Sequence, residues 1–387
     1  MKKKIAILGS TGSIGKTTFS IIKKDKKNFE VILLTTHKNY KELYRQAKIL
    51  NVKNLIITDK KSYHFFKKSN YNKKVKVFNN YKDLNKIFKK KVDYTMSSIS
   101  GLQGLEPTLK LIKYTKKIAV ANKEAIICGW GLIKTALKKN KTEFIPVDSE
   151  HFSIWSLINK DENNLVDKVY ITASGGPFLN LPLKKIQNVS PIKALKHPNW
   201  SMGKKISIDS STMMNKVFEV IETQRIFNLP KSKIFILIHE KSYVHAIVQF
   251  KNGLKKILAH DTNMVIPIFN TIYDNKNELI ENKNLDIKSL SNLNFKFIDK
   301  KRFPLVDILN LVPENYSLFE TVLVSANDAL VDLYLKNKIS YIDFQIRLKN
   351  FIKLKEFTKL KRKKPKNINE IYVLNEHVRL KIKSLCI

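Results

Sequence analysis

The stretch "KIAILGSTGSIGKTT", residues 4–18, decides the fold class of this chain. "KIAILG" predicts a strand, "KTTFSIIKK" predicts a helix, and between them Gly9, Gly12 and Gly15 have the spacing G-x-x-G-x-x-G. Glycine permits a tight turn and a close approach of the backbone to a ligand, and the following helix directs N–H groups at a phosphate. The spacing is not that of a P-loop. The stretch indicates a dinucleotide-binding turn, with an ordinary strand–helix turn as the alternative.

The alternation of strand and helix continues to about residue 150. Further strands are predicted at "VILLTT", "NLIITD", "VDYTMSSI", "KKIAVAN" and "TEFIPVD", with helices such as "YKELYRQAKIL" and "LEPTLKLIKY" between them. Such alternation implies a parallel sheet with right-handed crossovers. Residues 1–150 are therefore predicted to form a Rossmann-like dinucleotide-binding domain of the α/β class.

Beyond residue 150 the pattern changes. "KVYITAS", "KIFILIHE" and "YVHAIVQFKNG" predict strands, Asn252 and Gly253 predict a hairpin turn, and a long helix is expected from Met213 to Phe227. We expect an α+β domain over residues 151–271, an Asn- and Lys-rich linker over 272–304, and a helical domain over 305–387.

Composition narrows the classes of function. The 387 residues include 72 Lys and Arg against 33 Asp and Glu, a net charge of +39. The lysines are scattered along the chain, which indicates solvated surface that favours anionic substrates and not a nucleic-acid partner. No apolar run approaches the roughly 20 residues that span a bilayer, so no membrane partner is expected. Cys128 and Cys386 form no C-x-x-C pair, which fits a reducing cytoplasm.

The end of the second predicted strand bears on the cofactor. NAD sites usually place an acid there for the ribose hydroxyl. Here His37, Lys38 and Asn39 follow "VILLTT", and no acid is available. A cation suits a 2′-phosphate, so the sequence favours NADPH; a solvated lysine is the alternative.

Two acids stand close together in "VDSEH", residues 147–151. If the preceding strand continues, Asp148 and Glu150 point to the same side at its carboxyl end, the usual edge for sites in parallel sheets. Converging carboxylates need a proton or a cation, and hard oxygen ligands favour Mg²⁺ or Mn²⁺. A third ligand should come from elsewhere.

The segment "IDSSTMMNKVFEVIE", residues 208–222, is the best source of that ligand. On a helix, Asn215, Lys216 and Glu219 share a face. Ser210 to Thr212 are expected at the helix N-cap, where anionic groups also bind. The alternative makes Glu219 and Glu222 exposed acids that pair with lysines.

Two further segments suit a phosphorylated ligand. "ITASGGPF" sets Ser174 and two glycines after a strand, a turn compatible with phosphate. In "KHPNWSMGKK", Pro198 interrupts regular structure, so His197 and Trp200 are predicted to lie on a lid hinged near Gly203. A surface loop with its tryptophan in the core is the alternative.

Together these segments resemble one family, the 1-deoxy-D-xylulose 5-phosphate reductoisomerases. The resemblance rests on "ILGSTGSIG", "ANKE", "PVDSEH", "SGGPF", "HPNWSMGKKISIDSSTMMNK" and "VIE", and "SANDALV" is similar to a motif nearer the end. It implies a homodimer with a catalytic domain, a flap and a helical C-terminal domain. It also implies rearrangement of the sugar phosphate 1-deoxy-D-xylulose 5-phosphate and NADPH-dependent reduction to 2-C-methyl-D-erythritol 4-phosphate, in isoprenoid precursor synthesis, with Mg²⁺, Mn²⁺ or Co²⁺.

The resemblance also implies roles for individual residues. The metal ligands would be Asp148, Glu150 and Glu219, and these residues with Lys123 and His197 form the expected catalytic set. The expected substrate contacts are Ser149, Glu150, Ser174, His197, Trp200, Ser210, Asn215, Lys216 and Glu219. The expected cofactor contacts are Thr11, Gly12, Ser13, Ile14, Lys38, Asn39, Asn122, Glu124 and Gly203.

Some positions depart from the family pattern. His37 stands where the family usually has glycine, and Glu240 and Lys241 follow His239 where Pro and Gln are usual. Two other hypotheses remain. Another NADP-linked two-domain dehydrogenase, such as a semialdehyde dehydrogenase, needs a cysteine nucleophile for which Cys128 is poorly placed. A basic scaffold that binds nucleic acid leaves the acids unexplained.

Overall fold

The computed structural model describes residues 1–69, 75–158, 163–200, 202–273, 279–280 and 287–386. The chain forms two compact units. Unit 1 comprises Met1–Ala125, Leu132–Phe152 and Met264–Asn282, and unit 2 comprises Ile126–Gly131, Ser153–Asn263 and Lys283–Ile387. The predicted domain limits at 150, 271 and 304 stay a prediction.

Unit 1 is built on a parallel sheet. Its strands are β1 (Lys3–Leu8), β2 (Phe29–Thr36), β3 (Asn54–Ile57), β4 (Lys76–Phe78), β5 (Val92–Ser97), β6 (Thr115–Val120) and β7 (Glu143–Pro146). Their order is β4-β3-β2-β1-β5-β6-β7, and every paired neighbour runs parallel. This confirms the predicted strand series and the Rossmann-like fold, and adds the short edge strand β4. The strand order reverses between β1 and β5, which is where ligands bind in such sheets.

Helices cover this sheet. Those that begin in unit 1 are α1 (Ser13–Lys24), α2 (Tyr40–Leu50), α3 (Lys60–Lys68), α4 (Leu84–Ile87), α5 (Leu105–Ile112), α6 (Lys123–Asn140), α7 (Ser149–Leu157) and, after the long excursion through unit 2, α12 (Val265–Tyr273). The apolar face of α1 buries Phe19 and Ile22. On α12, Tyr273 packs edge-on against Phe29, and Thr271 shares a 2.8 Å hydrogen bond with the hydroxyl of Tyr94.

Unit 2 contains a second, mixed sheet. Its strands are β8 (Val166–Ala173), β9 (Ile234–Ile238), β10 (Val244–Phe250), β11 (Lys255–Ala259) and β12 (Lys296–Phe297), in the order β11-β10-β8-β9-β12. Strands β10 and β11 form the predicted hairpin, with Gly253 at φ +88° in its turn. The predicted linker includes β12, which pairs with β9, while residues 274–278 and 281–286 lie outside the described residues.

The helices of unit 2 are α8 (Leu183–Ile186), α9 (Pro191–Ala194), α10 (Lys204–Ser211), α11 (Met214–Phe227), α13 (Ile287–Ser291), α14 (Phe319–Leu335), α15 (Tyr341–Phe351), α16 (Lys355–Thr358) and α17 (Ile368–Cys386). Helix α11 confirms the helix predicted from 213 to 227, and Val220 and Phe227 pack it against the sheet. The buried Arg225 near the end of α11 forms a 2.5 Å ion pair with Glu320 of α14. Within the described residues, no helix has both the length and the apolarity that a bilayer crossing requires.

Candidate active site

The glycine turn of unit 1 follows β1 at the point where the strand order reverses. Gly9 has φ +73°, and a Cβ there would lie 2.9 Å from the carbonyl oxygen of Ser98. A Cβ on Gly15 would lie 2.3 Å from the carbonyl oxygen of Gly9, so α1 packs directly on the turn. Because α1 begins at Ser13, the N–H groups of its first turn lie beside Thr11 and Gly12. This arrangement suits a diphosphate group.

The end of β2 provides a cation and no acid. His37, Lys38 and Asn39 are exposed, and the His37 Nδ1 lies 2.9 Å from the Thr58 hydroxyl. Asn39 also has a structural role, since its side chain accepts a 3.2 Å hydrogen bond from the N–H of Glu42 and caps α2. The Lys38 ammonium is therefore the charged group that this edge offers to a 2′-phosphate.

The end of β6 is held by Asn122, one of the expected cofactor contacts. Its buried amide donates to the carbonyl oxygens of Ile99 and, at 2.6 Å, Gly101, while its oxygen accepts from the N–H of Ala125 at 2.7 Å. Asn122 thus ties the loop after β5 to the start of α6. Lys123 and Glu124 come next and begin that helix.

The carboxylate of Asp148 lies beside two basic groups. Its Oδ2 is 3.0 Å from the Lys123 ammonium and 3.7 Å from Nδ1 of the fully buried His151. Burial disfavours the charged carboxylate, but the Lys123 ammonium and the His151 ring outweigh it and hold the pKa of Asp148 well below its usual range. An oxygen of Glu150 lies within 4.8 Å of an oxygen of Asp148, and the Ser149 hydroxyl donates to Glu150 at 2.6 Å.

The two acids approach each other in a different way from the one predicted. Strand β7 ends at Pro146, and α7 begins at Ser149, with the N–H of Phe152 donating to the carbonyl oxygen of Asp148 at 2.7 Å. The alternation of a strand therefore does not apply, and the prediction that both side chains extend from one strand face is wrong. The acids instead occupy the N-terminus of a helix, where its dipole favours negative charge.

In unit 2, the predicted phosphate turn follows β8. Gly175 and Gly176 have φ of +86° and +67°, which side chains rarely adopt. The N–H of Gly176 donates to the Ser174 hydroxyl at 3.1 Å. A Cβ on Gly176 would lie 2.9 Å from the carbonyl oxygen of Ser210, so the turn packs tightly against the end of α10.

His197 connects this turn to the predicted lid. Its Nδ1 accepts from the backbone N–H groups of Asn199 and Trp200, at 3.2 and 3.0 Å, which places the ring proton on Nε2. That nitrogen lies 3.0 Å from the Ser174 hydroxyl. Burial, and then the nearby Lys216 ammonium, lower the pKa of His197 to about 4. His197 is therefore a neutral hydrogen-bond donor at ordinary pH.

In the predicted lid, residues 196–200 and 202–203 form neither helix nor strand, as predicted, and Lys204 begins α10; Ser201 lies outside the described residues. The rings of Trp200 and His245 pack edge-to-face, with their centroids 6.1 Å apart. The Asn199 amide donates to the carbonyl oxygen of Glu240 at 2.5 Å and to the Ser242 hydroxyl at 3.1 Å. The contact at Glu240 uses only its backbone, so the unusual residue there does not disturb it. Gly203 caps α10 and has open space where a Cβ would stand.

Helix α11 presents the predicted set of side chains. Lys216 Nζ lies 2.5 Å from one oxygen of Glu219, and the Asn215 amide donates to the other. Glu219 and Glu222 are each 1% exposed, so the alternative that made them exposed acids is wrong, although Glu219 does pair with a lysine.

The predicted N-cap is also wrong. Ser210 and Ser211 end α10, Thr212 caps that end, and Met213 at φ +65° turns the chain into α11. Met213 is fully enclosed and packs in the core behind the sheet. The buried Met213 therefore lies where the two helices are separated. Ser210 contacts the Gly176 turn from the C-terminus of α10.

Similarity to known proteins covers the whole chain. Residues 5–130 match the family described as 1-deoxy-D-xylulose 5-phosphate reductoisomerase, and residues 144–227 and 260–381 match two C-terminal domains of that enzyme. A reductoisomerase of Pelagibacter ubique is 60% identical over 387 residues, which is 100% of both chains. One of Wolbachia pipientis is 40% identical and covers 88% of this chain and 87% of that one.

The chain belongs to the 1-deoxy-D-xylulose 5-phosphate reductoisomerase family.

Solved structures of reductoisomerases agree with the fold. The Zymomonas mobilis reductoisomerase in complex with NADPH superimposes with a TM-score of 0.89 at 30% identity, covering 100% of this chain and 99% of that one. A reductoisomerase with NADPH, fosmidomycin and magnesium gives 0.90 at 28% identity, covering 99% and 98%. The chain is thus an NADPH-dependent oxidoreductase, and the alternative dehydrogenase finds no support: Cys128, its nucleophile, is 0% exposed inside α6.

Three residues contact the predicted site residues although no sequence pattern assigned them a role. His151 lies beside Asp148 in unit 1, and in unit 2 Asn199 hydrogen-bonds to the segment after His239 and His245 packs against Trp200. His245 stacks on His260 with ring centroids 3.7 Å apart. The position of His151, three residues after Asp148 at a helix start, was the only available signal.

Proposed function

We propose that this chain rearranges 1-deoxy-D-xylulose 5-phosphate and reduces the product with NADPH to 2-C-methyl-D-erythritol 4-phosphate. The 60% identity to a reductoisomerase over the full length carries the proposal. The geometry of each unit supports it.

Asp148 and Glu150 of unit 1 and Glu219 of unit 2 are the proposed metal ligands. They fit a hard divalent cation because they are oxygen donors, because Asp148 stays ionised beside Lys123, and because its oxygen and one of Glu150 lie within 4.8 Å. The ammonium of Lys216 forms an ion pair with Glu219 and fixes the position of its carboxylate. When bound, Mg²⁺, Mn²⁺ or Co²⁺ supplies a Lewis acid for oxygens of the substrate. Lys123 holds Asp148 in its ionised form and is itself a candidate substrate contact.

The proposed NADPH contacts lie at three strand ends of unit 1 and at one helix start of unit 2. Two features support this proposal: the glycine turn, where residues 9 and 15 leave no room for side chains, and the residues 37–39 after β2, which include no acid. When bound, NADPH supplies the hydride. The proposed contacts are Thr11, Gly12, Ser13, Ile14, Lys38, Asn39, Asn122, Glu124 and Gly203.

The substrate phosphate is proposed to bind in unit 2 between the Gly176 turn and the start of α11. The Ser174 and Ser210 hydroxyls, the Nε2–H of His197, and the side chains of Asn215 and Lys216 are its contacts, and Trp200 covers the ligand. Ser149 contacts the sugar. Binding the phosphate far from the reacting carbons provides energy for orienting them.

The test is NADPH oxidation with 1-deoxy-D-xylulose 5-phosphate, with and without a chelator. We expect turnover to need both the substrate and a divalent ion, and Asp148→Asn and Glu219→Gln to lower kcat by roughly 100-fold or more. Asp93→Asn, which breaks an ion pair with Lys116 elsewhere in unit 1, is the matched control and should keep full activity. Activity that survives the chelator and both site variants would disprove the metal assignment.

We also propose a cytoplasmic homodimer. On the edge strand β11, Ile257 is 49% exposed, and Leu254, just before the strand, is 57% exposed. These apolar side chains favour an interface with a second copy of the chain. Light scattering coupled to gel filtration should give twice the mass of the chain, and a monomer at assay concentration would refute the proposal.

A further inference from the structure

The "SANDALV" segment of α14 has no role in the function proposed above, yet its polar side chains make specific contacts. The Ser325 hydroxyl lies 2.8 Å from the amide oxygen of Asn375 on α17. The Asn327 amide donates to Oδ1 of Asp209 on α10 at 2.8 Å. Asp328 forms a 3.0 Å ion pair with Lys205, also on α10. The segment therefore joins α10 to the C-terminal helices.

The contact between Asn327 and Asp209 is buried, with 0% and 2% exposure of the two residues. A buried carboxylate needs hydrogen-bond donors or cations, because it has lost its water. Asn327 provides a donor to one oxygen, and the Lys205 ammonium lies 3.4 Å from the other. Removing such a donor leaves a buried charge without its full set of partners, so this pair fixes the position of Asp209 strongly.

Helix α10 links the lid to the proposed phosphate contacts. It begins just after Gly203, at the end of the lid segment, and its last residues are Ser210 and Ser211. Asp209 directly precedes Ser210, whose carbonyl oxygen packs against Gly176. The hydroxyl of Tyr341 on α15 donates to the carbonyl oxygen of Ser211 at 2.6 Å. The end of α10 is thus held from the C-terminal helices on both sides of Ser210.

We propose that Asn327 is a positioning residue for the substrate phosphate: its hydrogen bond to Asp209 sets where Ser210 and the Gly176 turn stand. The proposal rests on the phosphate site proposed above. It gives the helical C-terminal segment an indirect part in substrate binding, through the position of Ser210, without contact with the substrate. The effect should appear in the KM for 1-deoxy-D-xylulose 5-phosphate and not in that for NADPH.

A reciprocal exchange tests this pair. Asn327→Asp sets two carboxylates against each other and removes the donor. Asp209→Asn keeps an oxygen that can accept from Asn327 and should have a smaller effect. The double variant restores an amide facing a carboxylate with the direction of the hydrogen bond reversed. Asn375→Asp is the matched control, because the Ser325 hydroxyl can donate to a carboxylate as well as to an amide oxygen.

We expect Asn327→Asp to raise the KM for 1-deoxy-D-xylulose 5-phosphate by about tenfold or more, the loss typical of a buried donor. The KM for NADPH should stay unchanged, and the double variant should recover most of the affinity for substrate. Asn375→Asp should behave as wild type. If Asn327→Asp does not fold, Asn327→Ala removes the donor without adding charge and gives the same comparison of the two KM values.

Two results would overturn the proposal: an unchanged substrate KM in a folded Asn327 variant, or a double variant as impaired as Asn327→Asp. A lower melting temperature with unchanged KM would make the pair purely structural and also count against it. Failure of the proposed function would be recognised separately, because the wild type would then not oxidise NADPH with this substrate.

Discussion

His197 offers the sharpest test of the proposed phosphate site, because its two nitrogens do different things. Nδ1 accepts hydrogen bonds from two backbone N–H groups of the predicted lid, while Nε2–H points at the Ser174 hydroxyl. His197→Asn keeps an acceptor near Nδ1 and loses the donor. His197→Gln keeps a donor near Nε2 and loses the acceptor. The two variants therefore separate lid positioning from contact with the phosphate turn.

The expected sizes follow from the number of hydrogen bonds lost. A net hydrogen bond contributes about 0.5–1.5 kcal/mol, so His197→Asn should lower kcat/KM by about 2- to 12-fold. His197→Gln leaves two backbone donors without their acceptor and should lose about 1–3 kcal/mol of transition-state stabilisation.

The pH dependence follows from the lowered pKa. Folded His197 has a pKa of about 4, below the ordinary value of 6.5. The stability contributed by the neutral ring is complete above pH 6.5 and is lost as pH falls from 6.5 towards 4, because the unfolded chain takes up the proton first. Relative to either variant, the wild type should lose about 1.4 kcal/mol of unfolding free energy between high pH and pH 5.5. Because the ring is partly exposed, solvent screening should reduce this loss to about half.

The assay is kcat/KM for 1-deoxy-D-xylulose 5-phosphate between pH 5.5 and 8, for wild type and both variants, with urea unfolding at the same pH values. The ratio of kcat/KM between wild type and His197→Gln should stay constant, since neither side chain titrates in that range. A severalfold change of this ratio centred near pH 6.5 would refute the assignment of a neutral His197. Wild-type activity in His197→Gln would refute its role in holding the lid.

Three further predictions concern single contacts. Gly176→Ala should lower the free energy of unfolding by about 1–3 kcal/mol, because its Cβ would clash with a carbonyl oxygen of α10. Gly253→Ala, at a similar φ but in open space, should lower it less, and urea unfolding compares the two variants. Lys123→Met should lower kcat by roughly tenfold or more, while Lys116→Met, which breaks an exposed ion pair, should leave NADPH oxidation unchanged. Arg225→Met strands a buried carboxylate on α14 and should lower the free energy of unfolding by about 3–5 kcal/mol, and a change under 1 kcal/mol would contradict this account.

Local sequence determined much of this protein. The alternation of β-branched runs and helical periods specifies the parallel sheet of unit 1, and the spacing of Gly9 and Gly15 specifies the turn, because backbone freedom and periodicity act over a few residues. The face shared by Asn215, Lys216 and Glu219 also follows from helical geometry alone. Recognising the family required only that such short segments occur in the right order.

Tertiary structure decided the rest. Asp148 lies at the start of a helix, and does not continue a strand, because β7 stops pairing with β6 at Pro146. Ser210 ends a helix, and does not begin one, because Met213 is buried between α10 and α11 in the chain. The tautomer of His197 depends on the fold of the segment that follows it, which directs two backbone N–H groups at Nδ1. The contact between Asp209 and Asn327 joins residues 118 positions apart. Periodicity carries no information about such distant partners, because chain folding and the exclusion of water from a shared interior bring them together.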